Sequence, residues 1–327
     1  MKLPRRQFLH LTAAAAALPA VSRVARAQAY PSRPITLVVP YAAGGNSDVN
    51  ARILAEQMRG LLGQHLIIEN VSGADGSIAT GRVAGARPDG YTIELGGTST
   101  HNTNGAVYSL PYDVVNDFAP ISLLFTSPYA LFARKTMPAK ELNELVAWLK
   151  ANPNKASAGI TGSSFRLITA FFQKETGTQF TLVPYRGGAP ALQDLVAGQI
   201  DLLFMNLDAL PLVRAGSIRA YAVASDTRSA LAPDIPTFGE MGLPLSFSGF
   251  GWLGLFAPKG TPKEVIDRLN AATVQGLADP AMPARLANVG YEIFPREQQT
   301  PKALGAFQKA QIERWWPLIK EFGIGAE

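Results

Sequence analysis

Ile35-Thr36-Leu37-Val38-Val39-Pro40-Tyr41-Ala42-Ala43-Gly44-Gly45-Asn46-Ser47-Asp48 carries the reading of this chain. Five residues suited to a strand stop at a proline, and two glycines follow. The chain then runs to Leu62 with Leu54, Met58, Leu61 and Leu62 on one helical face. This is a strand, a tight loop and a helix. Glycines let the main chain approach a ligand closely, and the first-turn N–H groups of a helix point outward with partial positive charge. Such an end holds an anion without a buried cation.

The unit recurs along the sequence. Further strands are predicted at Leu66–Ile68, Tyr91–Leu95, Ala119–Leu123, Tyr129–Ala133, Ala156–Ile160, Thr181–Val183, Asp201–Phe204 and Ala220–Ala224. Helical patterns at Glu141–Lys150, Ser164–Thr176 and Ala191–Ala197 separate many of them. Interleaved strands and helices predict an α/β fold with mostly parallel sheets. Gly159-Ile160-Thr161-Gly162-Ser163-Ser164 and Tyr185-Arg186-Gly187-Gly188-Ala189-Pro190 repeat the strand-to-helix join of the first unit. Taken singly, each join is ordinary helix capping and turn formation. Two of them on opposing lobes make an anion clamp.

Two segments read as crossings between lobes, Ile121–Ala133 around Ser127-Pro128 and the Gly- and aromatic-rich Phe247–Ala257. They divide the chain into a discontinuous first lobe, residues 28–127 and 251–327, and an inserted second lobe, residues 128–250. A cleft between lobes is where ligands tend to bind. Toward the C-terminus, Thr261-Pro262-Lys263-Glu264 predicts a helix capped by Thr261, with Ile266, Leu269 and Leu277 inward. Thr300-Pro301 opens a last helix burying Leu304, Phe307, Trp315 and Ile319, which Pro317 should kink or restart. The Trp315-Trp316 pair reads as core packing.

Residues 1–27 read as an export signal. Pro4-Arg5-Arg6-Gln7-Phe8-Leu9-His10 is a twin-arginine pattern, an Ala-rich stretch follows, and Ala25-Arg26-Ala27 supplies a cleavage point near Ala27. The apolar stretch is too short to span a bilayer. Five of the 30 Lys and Arg residues precede Gln28 and none of the 25 Asp and Glu does, so the chain from Gln28 balances 25 bases against 25 acids. The basic excess belongs to the signal and argues for no nucleic-acid partner. Cysteine is absent, which excludes disulfides and an N-terminal lipid on cysteine. The expectation is an exported, periplasmic protein that is not membrane-embedded.

Catalytic signals are lacking. Only His65 and His101 follow the signal, far apart, and no metal site or cofactor motif is expected from them. No G-x-S-x-G, phosphate loop or dinucleotide fingerprint occurs. His65, between a helix end and a strand, reads as a solvated loop residue.

The stretch Tyr30–Gly45 resembles the start of the mature Bug-type solute-binding proteins, which serve tripartite tricarboxylate transporters. The resemblance continues through Ile68-Glu69-Asn70, Pro88-Asp89-Gly90-Tyr91-Thr92, Leu110-Pro111-Tyr112-Asp113, Asp117-Phe118-Ala119-Pro120, Val183–Leu192, Ala197–Asp201 and Leu255–Pro262. It spans about Tyr30 to Gly323.

The resemblance implies a type II periplasmic-binding-protein fold, two lobes joined by two crossing segments and closing on a small carboxylate. It implies that Tyr41, Ala43, Gly44, Gly45, Asn46 and Ser47 grip that carboxylate from one lobe, and Thr161, Gly162, Ser163 and Ser164 from the other. More variable positions would meet the rest of the ligand: Thr98, Ser99, His101, Phe165, Arg166, Tyr185, Asn206 and Trp252.

Three departures stand out. Asn46 replaces a third glycine, Phe165-Arg166 replaces Ser-His, and Met205 replaces an acid. Arg166 is expected to pair with a second ligand carboxylate or with a protein acid such as Glu175. Asp208 is either a ligand contact or a helix cap. An anionic, partly apolar ligand fits these changes better than an amino acid.

The expected function is therefore non-enzymatic: a monomeric binding protein with no cofactor or metal, delivering an organic acid to permease subunits. A ligand-sensing subunit for a membrane kinase and an exported hydrolase are the alternatives.

Overall fold

The computed structural model describes residues 30–323, so the export-signal reading lies outside the described residues. Among the described residues there are eleven strands: β1 Ile35–Val39, β2 Leu66–Asn70, β3 Thr92–Gly97, β4 Phe118–Thr126, β5 Tyr129–Arg134, β6 Ser157–Ile160, β7 Thr181–Pro184, β8 Leu202–Asn206, β9 Ile218–Val223, β10 Trp252–Pro258 and β11 Glu292–Ile293. The helices are α1 Asn46–Leu62, α2 Ser77–Ala84, α3 Asn104–Val107, α4 Leu142–Ala151, α5 Ser163–Thr176, α6 Gly188–Ala197, α7 Leu210–Arg214, α8 Lys263–Leu277, α9 Met282–Ala287 and α10 Pro301–Glu321. Among the described residues no helix is long and apolar enough to cross a membrane.

The strands form two sheets, each the spine of one lobe. One has the order β11-β4-β10-β3-β1-β2 and the other β7-β6-β8-β5-β9. Each repeats a single plan: the first parallel strand lies between the second and third, and one antiparallel strand separates the third from the fourth. The expectation of mostly parallel sheets holds for strand direction, since β1 to β4 share one direction and β6 to β9 another, but each sheet is mixed. Parallel pairing joins β1 to β2 and β3, and β6 to β7 and β8. The pairings of β10 and β5 with their neighbours are antiparallel, as is that of β11 with β4. The physical reason lies in the crossings. β5 and β10 enter their sheets directly from the other lobe rather than through a helical crossover, so each runs against its neighbours.

The two crossings are stitched side by side. Ser127 N–H donates to Gly251 O at 2.9 Å, and Asn206 Nδ2 to Ser127 O at 3.0 Å. Thr98 Oγ1 accepts from Gly251 N–H at 3.0 Å and from Trp252 N–H at 3.2 Å. Gly251 has φ +75°, and a Cβ there would stand 1.8 Å from Ser127 O, so only glycine fits.

Each sheet has its own core. Ile35, Leu37 and Val39 pack with Leu54 and Met58 of α1 and Leu269 of α8. In the other lobe Leu131, Phe204 and Phe238 surround Leu167 and Phe172 of α5. α10 belongs to both lobes. Leu304 and Phe307 pack with Trp252, whereas Trp315 and Ile319 enter the core of the five-stranded sheet, Trp315 stacked on Phe247 with centroids 4.6 Å apart.

Two local expectations are corrected. α10 continues through Pro317 as one helix. The missing N–H frees the carbonyl of Glu313, and both residues are exposed to water, while Trp315 and Ile319 anchor the helix on either side. α8 begins one residue late, with Pro262 in the cap position, because the Thr261 hydroxyl donates to Pro258 O at 2.7 Å instead of capping. Thr300 does cap α10, accepting from Ala303 N–H at 3.1 Å.

Gly251→Ala should lower stability by about 3 kcal/mol through forced backbone strain and overpacking. The urea midpoint of the variant measures this, and an unchanged midpoint would contradict the crossing geometry.

Candidate ligand-binding cleft

A cleft of about 470 Å³ lies between the lobes. Three helix starts face it. The first is the β1–α1 loop, where Tyr41 through Ser47 line the wall. Gly44 takes φ +80°, turning the chain so that its N–H meets Asp48 Oδ2 at 2.9 Å, and Gly45 caps α1. Val49 N–H to Gly45 O is the first bond of the helix, which leaves the preceding N–H groups outside its ladder. The second start is that of α5, capped by Gly162, where Thr161, Ser164 and Phe165 line the cleft. The third is that of α6, capped by Gly187, reached through Arg186 and lined by Gly187 to Pro190.

Of the residues expected at the site, Tyr41, Ala43, Gly44, Gly45, Asn46, Ser47, Ser99, Thr161, Ser164 and Asn206 line this cleft, together with Thr98, Phe165, Trp252 and Asp208. Gly162, Ser163, Arg166, Tyr185 and His101 are not among its lining residues. Ser163 is buried and turned toward the opposite lobe. Its N–H donates to Asp75 Oδ2 at 2.8 Å, and its hydroxyl donates to Asn104 Oδ1 at 2.8 Å and lies 2.6 Å from Thr103 Oγ1. The Tyr185 hydroxyl donates to Asp194 Oδ2 at 2.6 Å, on its own lobe. Arg166 lies where its charge bears on Tyr108, opposing the burial that raises that phenol's pKa.

His101 sits behind the cleft wall, wholly buried and stacked on Phe256 with centroids 3.7 Å apart. Its Nε2 is 3.8 Å from Glu94 Oε2, but burial pushes the Glu94 pKa up to about 8 and the His101 pKa down to about 3. Near neutral pH the two form an uncharged pair, not an ion pair. His65 is exposed, in the loop before β2.

Several lining residues escaped the sequence reading. Arg186 is exposed and is the one cation among the lining residues; its Tyr-Arg-Gly-Gly context was the available signal. Asp75, Tyr129 and Tyr291 also line the cleft, and no local pattern marks them. Tyr129 OH donates to Ser164 Oγ at 2.9 Å.

Side chains bridge the lobes across the cleft. Besides the contacts of Ser163, Ser99 Oγ lies 3.2 Å from Ser164 Oγ, and Asn46 Nδ2 donates to Asp208 Oδ2. Asn46 thus fastens one lobe to the other. Burial raises the pKa of Asp75 and of Asp208 to about 6, against the hydrogen bonds from Ser163 and Asn46 respectively. Among the described residues no cluster of His, Asp and Glu could hold a metal ion. The arrangement can hold an anion by main-chain N–H groups, hydroxyls and one guanidinium, with Leu95, Leu192 and Leu253 offering apolar wall.

Comparison with known proteins agrees with this geometry. The family model described as "Tripartite tricarboxylate transporter family receptor" matches residues 50–324. BugT of Bordetella pertussis is 34% identical over 302 residues, covering 91% of this chain and 91% of that protein. MatC from Rhodopseudomonas palustris, solved with bound malate, superposes with a TM-score of 0.83 at 36% identity, covering 89% of this chain and all (100%) of that one. A second R. palustris protein, solved with adipate, gives 0.83 at 34% identity, covering 91% and 100% respectively. The two-lobed α/β architecture is accordingly that of periplasmic binding proteins, and this chain belongs to the tripartite tricarboxylate transporter receptor family, which includes the Bug proteins.

Proposed function

We propose that this protein captures a small organic carboxylate in the periplasm and delivers it to the permease subunits of a tripartite tricarboxylate-type transporter. The observation that carries the reading is the convergence of three helix starts, those of α1, α5 and α6, on one cleft beside Arg186. Relatives solved with malate and adipate support a carboxylate as the ligand class. The protein acts without catalysis, as a monomer released by cleavage near Ala27. Its working cycle is lobe closure: the ligand binds better between closed lobes than to either alone, shifts the population toward closure, and the permease reads that form.

A thermal-shift screen of the chain from Gln28, against mono- and dicarboxylates, amino acids and sugars, tests the reading. An acid at a hundredfold excess over its Kd adds about 2.7 kcal/mol of stability. Ala43→Trp, which fills the cleft from an exposed position, should abolish the shift and leave the unliganded melting temperature unchanged. Stabilisation only by neutral or cationic solutes would contradict the assignment.

Arg186→Gln should weaken binding of the same acid by about tenfold, since one guanidinium contact is lost and no ion pair among the described residues depends on it. Titration calorimetry reads this directly, and an unchanged Kd would place the carboxylate away from the α6 start.

Asp208 supplies a pH test. Its pKa is raised from 3.8 to about 6, so the folded state favours the protonated form. That contribution is complete below about pH 4 and is lost as pH rises through about 6. The difference in unliganded stability between Asp208→Asn and wild type should therefore grow in the variant's favour from pH 4 to 7. A difference independent of pH would contradict a buried, destabilised carboxylate.

A further inference from the structure

Asp75 belongs to the loop before α2 in the first lobe, yet its carboxylate occupies the start of α5 in the second. Oδ2 accepts the Ser163 N–H at 2.8 Å, and a Cβ on Gly162 would stand 2.7 Å from Oδ1, so the two lobes touch there through this group. Asp75 reaches that position from the left-handed region, at φ 50° and ψ 38°, directly after Ala74 at φ 45°. Two consecutive non-glycine residues in that region are costly, and such strain persists where a side chain is held to a purpose. The segment is held: Asn104 Nδ2 donates to Asp75 O at 2.8 Å, and Asn104 Oδ1 accepts from the Ser163 hydroxyl at 2.8 Å. Asp75 also lines the cleft.

A carboxylate on a helix-start N–H is what a bound acid would present there. We propose that Asp75 is a specificity-determining residue, an internal carboxylate that takes the α5 helix start and restricts the cleft to ligands with a single carboxylate. The ligand directs that carboxylate to the starts of α1 and α6 and to Arg186. Toward Asp75 it presents a neutral hydrogen-bond donor, a hydroxyl or an amide, and its carbon body lies against Leu95, Leu192, Leu253 and Phe165. A second ligand carboxylate in the Asp75 corner would meet a like charge in a partly desolvated site, which disfavours it strongly. Burial already raises the pKa of Asp75 to about 6 with no ligand present, so the corner resists further negative charge. Asp208 is the other ionisable acid on the cleft and faces Asn46 of the first lobe.

The inference rests on the reading of the cleft as a carboxylate site, and the experiment separates the two. Titration calorimetry at pH 7.5 compares succinate, glutarate and adipate with their monoamides, which keep the shape and remove one charge. Wild type should bind at least one monoamide at least tenfold more tightly than its parent diacid. Asp75→Asn, nearly isosteric, should reduce that preference at least tenfold. Asp75→Gly, which suits the left-handed backbone and so should fold at least as well, should do the same and leave the Ser163 N–H to the diacid. Melting of the unliganded variants checks folding. A preference unchanged in both variants, or a wild type that favours the diacids, overturns the role of Asp75 and leaves the carboxylate site standing. Binding of none of the six compounds to any of the three proteins overturns the carboxylate reading and this inference with it.

Discussion

The first turn of every helix leaves N–H groups that the helix itself cannot satisfy, and something must meet them. In this protein three such turns open on one cleft, from two lobes, and the cleft takes its chemistry from that fact. Fixed main-chain dipoles attract an anion without the desolvation cost of burying several cations. Arg186, exposed, is the one cation on the cleft wall. The Gly-rich joins follow from the same requirement. Gly44 turns the chain at φ +80°, and a Cβ on Gly162 would stand 2.7 Å from Asp75 Oδ1.

The second constraint is that the two lobes share one floor. Thr98 at the end of β3, Ser127 on the outward crossing and Gly251 on the return are hydrogen-bonded to one another or to the same partners. This fixes where the cleft lies and leaves the lobes joined by narrow strands, a geometry suited to hinge motion. α10 adds a third tie, since it packs Leu304 into one core and Trp315 into the other. On the proposed binding cycle, closure has to bend along that helix as well as at the crossings. Above the floor, Asn46 with Asp208 and Asp75 with Ser163 are polar bridges between the lobes. Burial raises the pKa of both acids to about 6.

The sequence made the strand-and-helix frame legible because β1, β6 and the helices behind them have clean local periods, as at Leu54, Met58 and Leu62. It also marked the β1–α1 loop, whose glycines are local signals. Directions in the sheets were not legible, because β5 and β10 look like any other apolar run, and their antiparallel pairing follows from which lobe the chain has just left. The uninterrupted α10 was not legible either. Whether Pro317 breaks a helix depends on the exposure of Glu313 and on the anchors at Trp315 and Ile319, which are tertiary facts. The places of two expected site residues were not legible for a similar reason. Ser163 and Tyr185 sit beside the right loops, but their side chains are taken by Asn104 and Asp194. Asp75 meets the site only through a contact between residues 88 positions apart.

If helix-start N–H groups inside the cleft hold the ligand's carboxylate, a crystal structure of the chain from Gln28, grown with an acid that stabilises it, will show it. A carboxylate is then expected within hydrogen-bond distance, roughly 2.7–3.2 Å, of main-chain nitrogens at the start of α1, with the lobes closed around it. A carboxylate bound elsewhere, or one held in the cleft by side-chain cations alone, would contradict it.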